Sequence, residues 1–376
     1  MPFRFIHTSD LHLGRRFANI PEPADNGVRG RLMDARHTVI RRLAQAARTH
    51  GARHVLLAGD TFDSATPSPQ VLRQMLAEMR EQADVHWWLL PGNHDNLRSA
   101  EPVWEAIRRD APSNVRPILD TSVLQPAPGV HVLPCPVPVR AAGRDLTASM
   151  PATATPAGAL RIGLAHGGVL DFTDSGEHIP PDRDRSAGLD YLALGDWHGR
   201  LAVTPRTHYP GTPEPDRFKH PGRGRCLAVS IDGPGAEPDV REIETATFAW
   251  IRQELPLHQG ESAADALEAL LPTADRRNTL LRIIATGWAS PAAHAALGAT
   301  CDRHRPEFAY FDLQSERLGT LHSVSDLDQI ARSGAIRLAA EALMHEADDD
   351  QQPEDTRDIA SAALNRLYAY AREAAE

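Results

Sequence analysis

Five short polar motifs carry the residue types that could do chemistry in this chain. They are Asp10-Leu11-His12, Gly59-Asp60, Gly92-Asn93-His94-Asp95, His166-Gly167 and Gly195-Asp196-Trp197-His198. Imidazole, carboxylate and amide groups together favour Mn, Fe, Zn or Mg, and no motif offers a thiolate. A bridging carboxylate can hold two such ions roughly 3.5–4 Å apart, on the two sides of an in-line displacement. The motifs therefore predict a two-metal hydrolytic site, with Asp60 as the candidate bridge.

An apolar run precedes each of the five motifs. The runs occupy residues 3–6, 55–58, 87–90, 162–165 and 191–194. Short apolar runs of this kind are typical of buried strands, and ligands in open α/β sheets gather beyond the carboxyl ends of strands. We therefore expect the five motifs to converge in one crevice.

The elements that must position these motifs alternate between strand and helix from residue 1 to about 245, which predicts a layered α/β sandwich. Leu32–His50 has helical apolar spacing, and Ser68-Pro69 is typical of a helix start. Residues 246–345 predict a smaller α+β domain. In residues 346–376, the acidic stretch Glu346–Asp358 predicts a solvated linker. A final helix is expected from about Thr356 to Ala375, with its apolar side formed by Ile359, Ala363, Leu367 and Ala371.

Composition excludes several classes of protein. The chain has no apolar run long enough to cross a bilayer and no signal-like N-terminal stretch, so we expect a cytoplasmic protein. Its three cysteines, Cys135, Cys226 and Cys301, form neither a disulfide framework nor a Cys-x-x-Cys metal site. The net charge of −10 argues only weakly against a nucleic-acid partner, because metal-site carboxylates contribute to it and local patches matter more.

The order of the motifs resembles the calcineurin-like metallophosphoesterase superfamily. Longer segments resemble one branch, the SbcD family of DNA repair exonucleases with its YhaO-like members; they are His7–Gly14, Gly59–Asp63, Pro91–Asp95, Tyr191–Gly195 and Tyr209–Glu214. The resemblance is distinctive over residues 3 to about 245 and only architectural after that. It implies a four-layer α/β/β/α sandwich with a smaller α+β capping domain.

The resemblance also implies a role for each motif residue. The first ion would be held by Asp10, His12, Asp60 and His198, and the second by Asp60, Asn93, His166 and Asp196. His94 would stabilise the transition state or protonate the leaving oxygen, while a water between the ions attacks. Asp95 either orients His94 through a hydrogen bond or caps the turn.

One position departs from the family pattern, which usually has histidine where this chain has Asp196. A carboxylate there either binds the second ion, which favours oxygen-loving Mn or Mg, or reaches it through water. We expect direct or near-direct ligation, and Mn as the first candidate metal, with Mg, Fe and Zn as alternatives.

The function implied by the resemblance is a metal-dependent DNA nuclease, an exonuclease and also an endonuclease near ends. Its partners would be DNA, a second copy of the chain, and an SMC-like coiled-coil ATPase of the SbcC or YhaN type that contacts the C-terminal helix. Arg15, Arg16 and Arg200 are candidates for contacts with DNA phosphates. Two alternatives stay open: a stand-alone phosphodiesterase or phosphatase for small or cyclic esters, and a non-catalytic scaffold, which only Asp196 favours.

Overall fold

The computed structural model describes residues 2–21, 27–169, 178–258, 260–320, 327–328, 330–331 and 333–373. The chain divides into two compact units, Met1–Ala249 and Trp250–Glu376. None of the described helices is both long enough and apolar enough to cross a membrane.

The first unit contains two sheets. Its strands are, in chain order, β1 (Phe3–Thr8), β2 (His54–Leu57), β3 (His86–Leu89), β4 (Val115–Pro117), β5 (Leu124–Ala127), β6 (Val130–Cys135), β7 (Leu160–His166), β8 (Tyr191–Gly195), β9 (Leu201–Ala202), β10 (Thr207–Tyr209), β11 (Gly222–Ile231) and β12 (Asp239–Leu257), which continues into the second unit. In the first sheet β1 to β4 are parallel neighbours and β11 runs antiparallel to β1. The second sheet has the order β5-β6-β7-β8-β10-β9, with β6, β7, β8 and β10 parallel.

Alternate residues of each strand belong to different cores, because successive side chains point to opposite faces of a sheet. Phe5 and Leu56 of the first sheet pack with Ile162, Leu164 and Tyr191 of the second, in a core between the sheets. The outer face of the first sheet is covered by α1 (Val28–His50), α2 (Pro69–Glu81) and α3 (Glu101–Asp110). On the second sheet the outer core includes residues of the 3-10 helix Leu146–Ala152 and of the segment after α4 (Arg183–Ser186). The predicted four-layer α/β/β/α sandwich is confirmed.

The helix boundaries follow local capping. α1 begins four residues before the predicted Leu32 and ends where Gly51, at φ 68°, donates its amide to carbonyls of the last turn. α2 begins as predicted, because the Ser68 hydroxyl accepts a hydrogen bond from the Val71 amide. α3 was not predicted; it is held in place through Trp104, whose indole donates to the Asp95 carbonyl at 2.6 Å.

The second unit is a smaller α+β structure. Its strands β13 (Thr279–Ala289) and β14 (Tyr310–Thr320) are parallel, and α5 (Ala263–Leu270) and α6 (Pro291–His304) pack on them around Leu267, Leu281, Leu297 and Phe311. Two further helices follow, α7 (Ala335–Asp348) and α8 (Glu354–Glu373).

The C-terminal prediction needs two corrections. Most of the expected linker is helical, and only residues 349–353 separate α7 from α8. The buried side of α8 is formed by Ala360, Leu364 and Tyr368, whereas the expected Ile359 is 70% exposed. Leu364 and Tyr368 pack with Ala340 of α7. Two other expected residues, Leu367 and Ala371, are partly buried against the same cluster, so the buried side overlaps the expected one and differs from it at Ile359. The predicted end at Ala375 lies outside the described residues.

Candidate metal centre

Donor atoms from all five motifs meet beyond the carboxyl ends of β1, β2, β3, β7 and β8. Three groups have ligand atoms within 4.8 Å of one another: Asp10, His12 and His198; Asp10, Asp60 and His166; and His12, Asp60 and His94. Asp10, His12 and Asp60 each belong to two groups. The three groups therefore form one continuous cluster.

Asp60 lies between the two sets of donors. Its Oδ2 atom is 3.8 Å from His12 Nε2 on one side and 3.6 Å from His166 Nε2 on the other. His12 Nε2 is in turn 3.2 Å from His198 Nε2, and both ring nitrogens lie 3.8 Å from Asp10 Oδ1. One carboxylate oxygen that faces both sets has the position that a bridging ligand requires.

Asp196 and Asn93 complete the second set. Asp196 Oδ1 is 3.7 Å from His166 Nε2 and accepts a hydrogen bond of 3.0 Å from Asn93 Nδ2. The Asp196 amide donates to Asp10 Oδ2 at 3.2 Å, which ties the fifth motif to the first. The structure thus brings together all seven residues expected to hold metal.

The local backbone is strained where these side chains are presented. Asp10, His12 and Asp60 have φ values of 57°, 43° and 53°, and Asp196 has a φ of 99°. Non-glycine residues in such regions cost about 1–3 kcal/mol each and persist where the surroundings demand them. Gly92 is needed for a different reason, since a Cβ atom there would lie 2.1 Å from Asp60 Oδ1.

Three buried polar atoms without a hydrogen-bond partner in the described part of the chain indicate that the cluster suits cations. Asp10 Oδ1, Asn93 Oδ1 and His166 Nε2 are buried and have no hydrogen-bond partner among the described residues. Buried polar atoms normally have a partner, so such a concentration needs an explanation. The Nδ1 atom of His166 donates to the Ala58 carbonyl at 2.8 Å, which leaves the Nε2 lone pair for a metal. Oxygen and imidazole nitrogen donors of this kind fit divalent ions.

Charge in the cluster leads to the same conclusion. Burial raises the pKa of Asp60 well above its usual value, and the neighbouring Asp95 and Asp10 raise it further. Burial by itself lowers the pKa of His166, but the charges of Asp60, Asp196 and Asp10 raise it to about 9. The buried carboxylates therefore create a surplus of negative charge that bound cations would relieve.

His94 and Asp95 do not form the expected pair. His94 Nδ1 lies 2.8 Å from the Asp63 carbonyl oxygen, and the His94 amide donates to Asp60 Oδ1 at 2.9 Å. The Asp95 carboxylate instead accepts hydrogen bonds from the amides of Gly92 and Phe62, at 2.6 and 3.1 Å. Of the two alternatives considered for Asp95, the hydrogen bonds of its carboxylate therefore favour the turn cap over the orientation of His94. Its carboxylate caps the turn, and burial raises its pKa to about 6.

The family model for calcineurin-like phosphoesterases matches residues 3–219 of this chain. The chain belongs to this family. It is accordingly a phosphoester hydrolase, and divalent metals are the cofactors that the family uses.

Several individual proteins are similar to this phosphoesterase. A Bacillus subtilis (strain 168) protein named uncharacterized metallophosphoesterase YhaO is 27% identical over 261 residues, which are 61% of this chain and 58% of YhaO. The D subunit of the Escherichia coli (strain K12) nuclease SbcCD is 29% identical over 96 residues, 25% of this chain and 22% of that subunit. This chain thus matches less than two thirds of the length of each of these relatives.

Two solved structures can be superposed on part of the chain. The Thermus thermophilus protein TT1561 has a TM-score of 0.40 at 11% identity, and covers 64% of this chain and 99% of its own. A dimetal phosphatase from Danio rerio has a TM-score of 0.34 at 11% identity, and covers 65% of this chain and 100% of its own.

The three arginines expected to contact DNA have different environments. Arg15 pairs with Asp63 at 3.0 Å and with Asp216 at 3.3 Å. Arg200 pairs with Glu242 at 3.0 Å and donates to the Tyr209 carbonyl. Arg16 is exposed and lines a cavity beside α2. Two of the three guanidinium groups are thus engaged by carboxylates of the protein.

Two residues next to the candidate ligands were not predicted from the sequence. Asp216 is 1% exposed, and its Oδ1 lies 3.1 Å from His198 Nδ1. His198, Arg36 and Arg217 lower the pKa of Asp216 well below its usual range, although burial opposes them. Asp63 supplies the carbonyl that holds His94. Asp216 follows the Tyr209–Glu214 segment closely, which was the only available signal.

Proposed function

We propose that this phosphoesterase is a metal-dependent DNA nuclease that uses two divalent ions to hydrolyse phosphodiester bonds. The observation that carries the two-ion proposal is the position of Asp60 Oδ2, which faces both His12 and His166. When bound, the ions would lower the pKa of a water and neutralise charge on the phosphate oxygens. The name of one relative, a nuclease subunit, supports a nucleic acid as the substrate. The activity would be exonucleolytic, and endonucleolytic near ends, in DNA repair.

His94 and Asp196 have separate proposed roles in this reaction. With Nδ1 donating to the Asp63 carbonyl, His94 keeps Nε2 for a substrate oxygen. From that position it would stabilise charge on the phosphate or pass a proton to the leaving oxygen. Asp196 in place of the usual histidine adds an oxygen donor, so we expect Mn to support the highest activity, ahead of Zn.

The function is tested with purified full-length protein, Mn and linear double-stranded DNA. His94→Ala should reduce cleavage by about 10²–10⁴-fold, the range for a lost general acid or base, while the metal content stays the same. His345→Ala is the control, because His345 is an exposed histidine on α7. Retained cleavage in His94→Ala would refute the role of His94.

The same assays separate the alternatives. Rapid hydrolysis of bis-p-nitrophenyl phosphate or cyclic nucleotides, with none of DNA, would establish a stand-alone phosphodiesterase. Two bound metals with no activity on any ester would favour a scaffold. Elemental analysis of the purified protein supplies the metal count that this comparison needs.

A coiled-coil ATPase of the SMC type is the proposed partner, since the similar E. coli protein is named as a subunit of SbcCD. The two C-terminal helices offer apolar side chains for such a contact. Ile336 and Leu338 of α7 are 53% and 67% exposed, and Ile359 and Tyr370 of α8 are 70% and 57% exposed. Co-purification with the ATPase should be lost in Ile359→Glu and kept in Glu354→Gln.

A homodimer is proposed through helices α2 and α3. A groove next to these helices is lined by apolar side chains, including those of Leu72, Leu76, Val103 and Ala106. A two-fold pair of such grooves would be self-complementary, as closed dimers require. Light scattering should give a dimer mass for the natural chain and a monomer mass for Leu72→Glu. A monomeric natural chain would exclude this interface.

A further inference from the structure

A cavity of about 280 Å³ adjoins the candidate metal centre at the fifth motif. His198 and Gly199 belong to its lining. Its lining contains four arginines, Arg200, Arg217, Arg223 and Arg225, and Asp216 is the one carboxylate among the described residues of this lining. Such a lining suits an anion. His198 both lines the cavity and belongs to the candidate metal centre, so an anion in the cavity would lie next to the metal ligands.

Exposed glutamates pair with arginines of this cavity. Glu242 is shared by Arg200 and Arg225, at 3.0 and 2.5 Å, and Glu244 faces Arg223 at 3.3 Å. Among the described residues, Glu242 thus serves both Arg200 and Arg225. The glutamate side chains are 44% and 61% exposed, and ion pairs with exposed partners contribute little in water. A phosphate that enters the cavity can therefore compete for these guanidinium groups.

Arg217 is the closest link between the cavity and the metal centre. Its guanidinium contacts Asp216 at 3.0 and 3.2 Å. The oxygen at 3.0 Å is the same Oδ1 atom that lies 3.1 Å from His198 Nδ1. Arg217 is therefore separated from a candidate metal ligand by one carboxylate. Its side chain is 42% exposed, and a guanidinium has five N–H donors, so donors remain for a ligand.

Lys219 adds a second accessible cation beside the cavity. It is the only lysine in the sequence, and it precedes the cavity residue His220. Its Nζ atom lies 5.4 Å from the ring centroid of Trp197, the residue between Asp196 and His198. Within the described part of the chain, the exposed ammonium group has no carboxylate partner. It is thus available to a phosphate group.

We propose that this cavity is a subsite for a second phosphate of the substrate, next to the phosphodiester that is cleaved. Pockets that enclose a drug-sized ligand span about 300–1,000 Å³, so a cavity of about 280 Å³ has room for a phosphate group. The subsite rests on the proposed nuclease function. It makes oligonucleotides better substrates than esters that carry a single phosphate.

The test compares a thymidine dinucleotide with the same dinucleotide carrying a terminal 5′ or 3′ phosphate. With the Mn-loaded full chain, we expect a terminal phosphate on one side to raise kcat/KM at least about ten-fold, as one charge-assisted hydrogen bond does. Arg217→Gln and Lys219→Gln should each lower this ratio. The quantity compared is the ratio of kcat/KM with and without the terminal phosphate. A variant that only damages the metal centre lowers both values, so this ratio stays the same. Arg108→Gln removes the charge of a 66% exposed arginine elsewhere and should keep the ratio.

Two results would count against the proposal, and they differ. A ratio near one in the natural chain, or an equal ratio in the natural chain and both variants, would overturn the subsite alone. Hydrolysis of bis-p-nitrophenyl phosphate without cleavage of any dinucleotide would refute the nuclease function, and the subsite with it.

Discussion

The hydrogen bond between Asp216 and His198 gives a sharp test of the metal centre. Asp216 Oδ1 lies 3.1 Å from His198 Nδ1, and the carboxylate is 1% exposed. A carboxylate in this position fixes the tautomer of a metal-binding histidine, so that Nε2 keeps its lone pair. In Asp216→Asn the amide can present N–H groups to the ring, and the correct tautomer is no longer enforced.

The size of the effect follows from this role. Loss of a hydrogen-bond partner behind a metal-bound histidine typically costs 10–100-fold in metal affinity, or about 1.4–2.8 kcal/mol. Arg15 and Arg217 also lose their charged partner, with contacts of 3.3 and 3.0 Å. We therefore expect the Mn dissociation constant of Asp216→Asn to rise by at least about ten-fold.

The assay is calorimetric titration of metal-free protein with Mn. Asp110→Asn is the matched control, since Asp110 is 52% exposed and pairs with Arg109 on the surface. In a double-mutant cycle, Asp216→Asn should add little to His198→Ala, because the two changes remove one interaction. Unchanged Mn affinity in Asp216→Asn, or fully additive losses in the double variant, would refute the reasoning.

Three further predictions test other parts of the structure. Burial lowers the pKa of the His7 imidazole from 6.5 to about 3, and His208 lowers it further by a smaller amount. Between pH 6.5 and 3, His7 is therefore protonated in the unfolded chain and neutral in the folded protein. Stability should therefore fall as pH drops through this range, by up to about 1.4 kcal/mol per pH unit, and His7→Gln should flatten that slope in urea unfolding; an unchanged slope would contradict the assignment. Gly92→Ala should abolish Mn binding in calorimetry, because the new Cβ would lie 2.1 Å from Asp60 Oδ1. The control is Gly30→Ala on α1, where a new Cβ meets open space, and it should instead stabilise the protein by about 0.5–1 kcal/mol. Equal Mn affinity in the two variants would contradict the predicted clash at Gly92. Asp196→His should shift metal preference from Mn towards Zn in competition assays, and no shift would argue against ligation by residue 196.

The fold of the first unit could be predicted from the sequence because its strands are short apolar runs that end at polar motifs. Val55, Leu56 and Leu57 illustrate the pattern: all three are buried, yet they alternate between two cores. Helix α3 was not predicted, although its buried residues Trp104 and Ile107 stand three positions apart, which is a helical spacing. The boundary between α7 and α8 was also hidden, since acidic residues are compatible with both a linker and a solvated helix face.

The sequence by itself determined which residue types stand at the strand ends and in what order. It did so because parallel strands of one sheet present their carboxyl ends at one edge, so Asp10 and Asp60, which follow the neighbouring strands β1 and β2, had to meet there. His166 ends a strand of the second sheet, and it reaches them only because the two sheets pack together. Only the tertiary structure decided which groups hold these side chains in place. The His94 ring contacts the carbonyl of Asp63, and every residue has such a carbonyl, so no residue type marks the one that is used. Asp216 stands eighteen positions after His198, beyond β9 and β10, and their contact depends on packing and not on spacing.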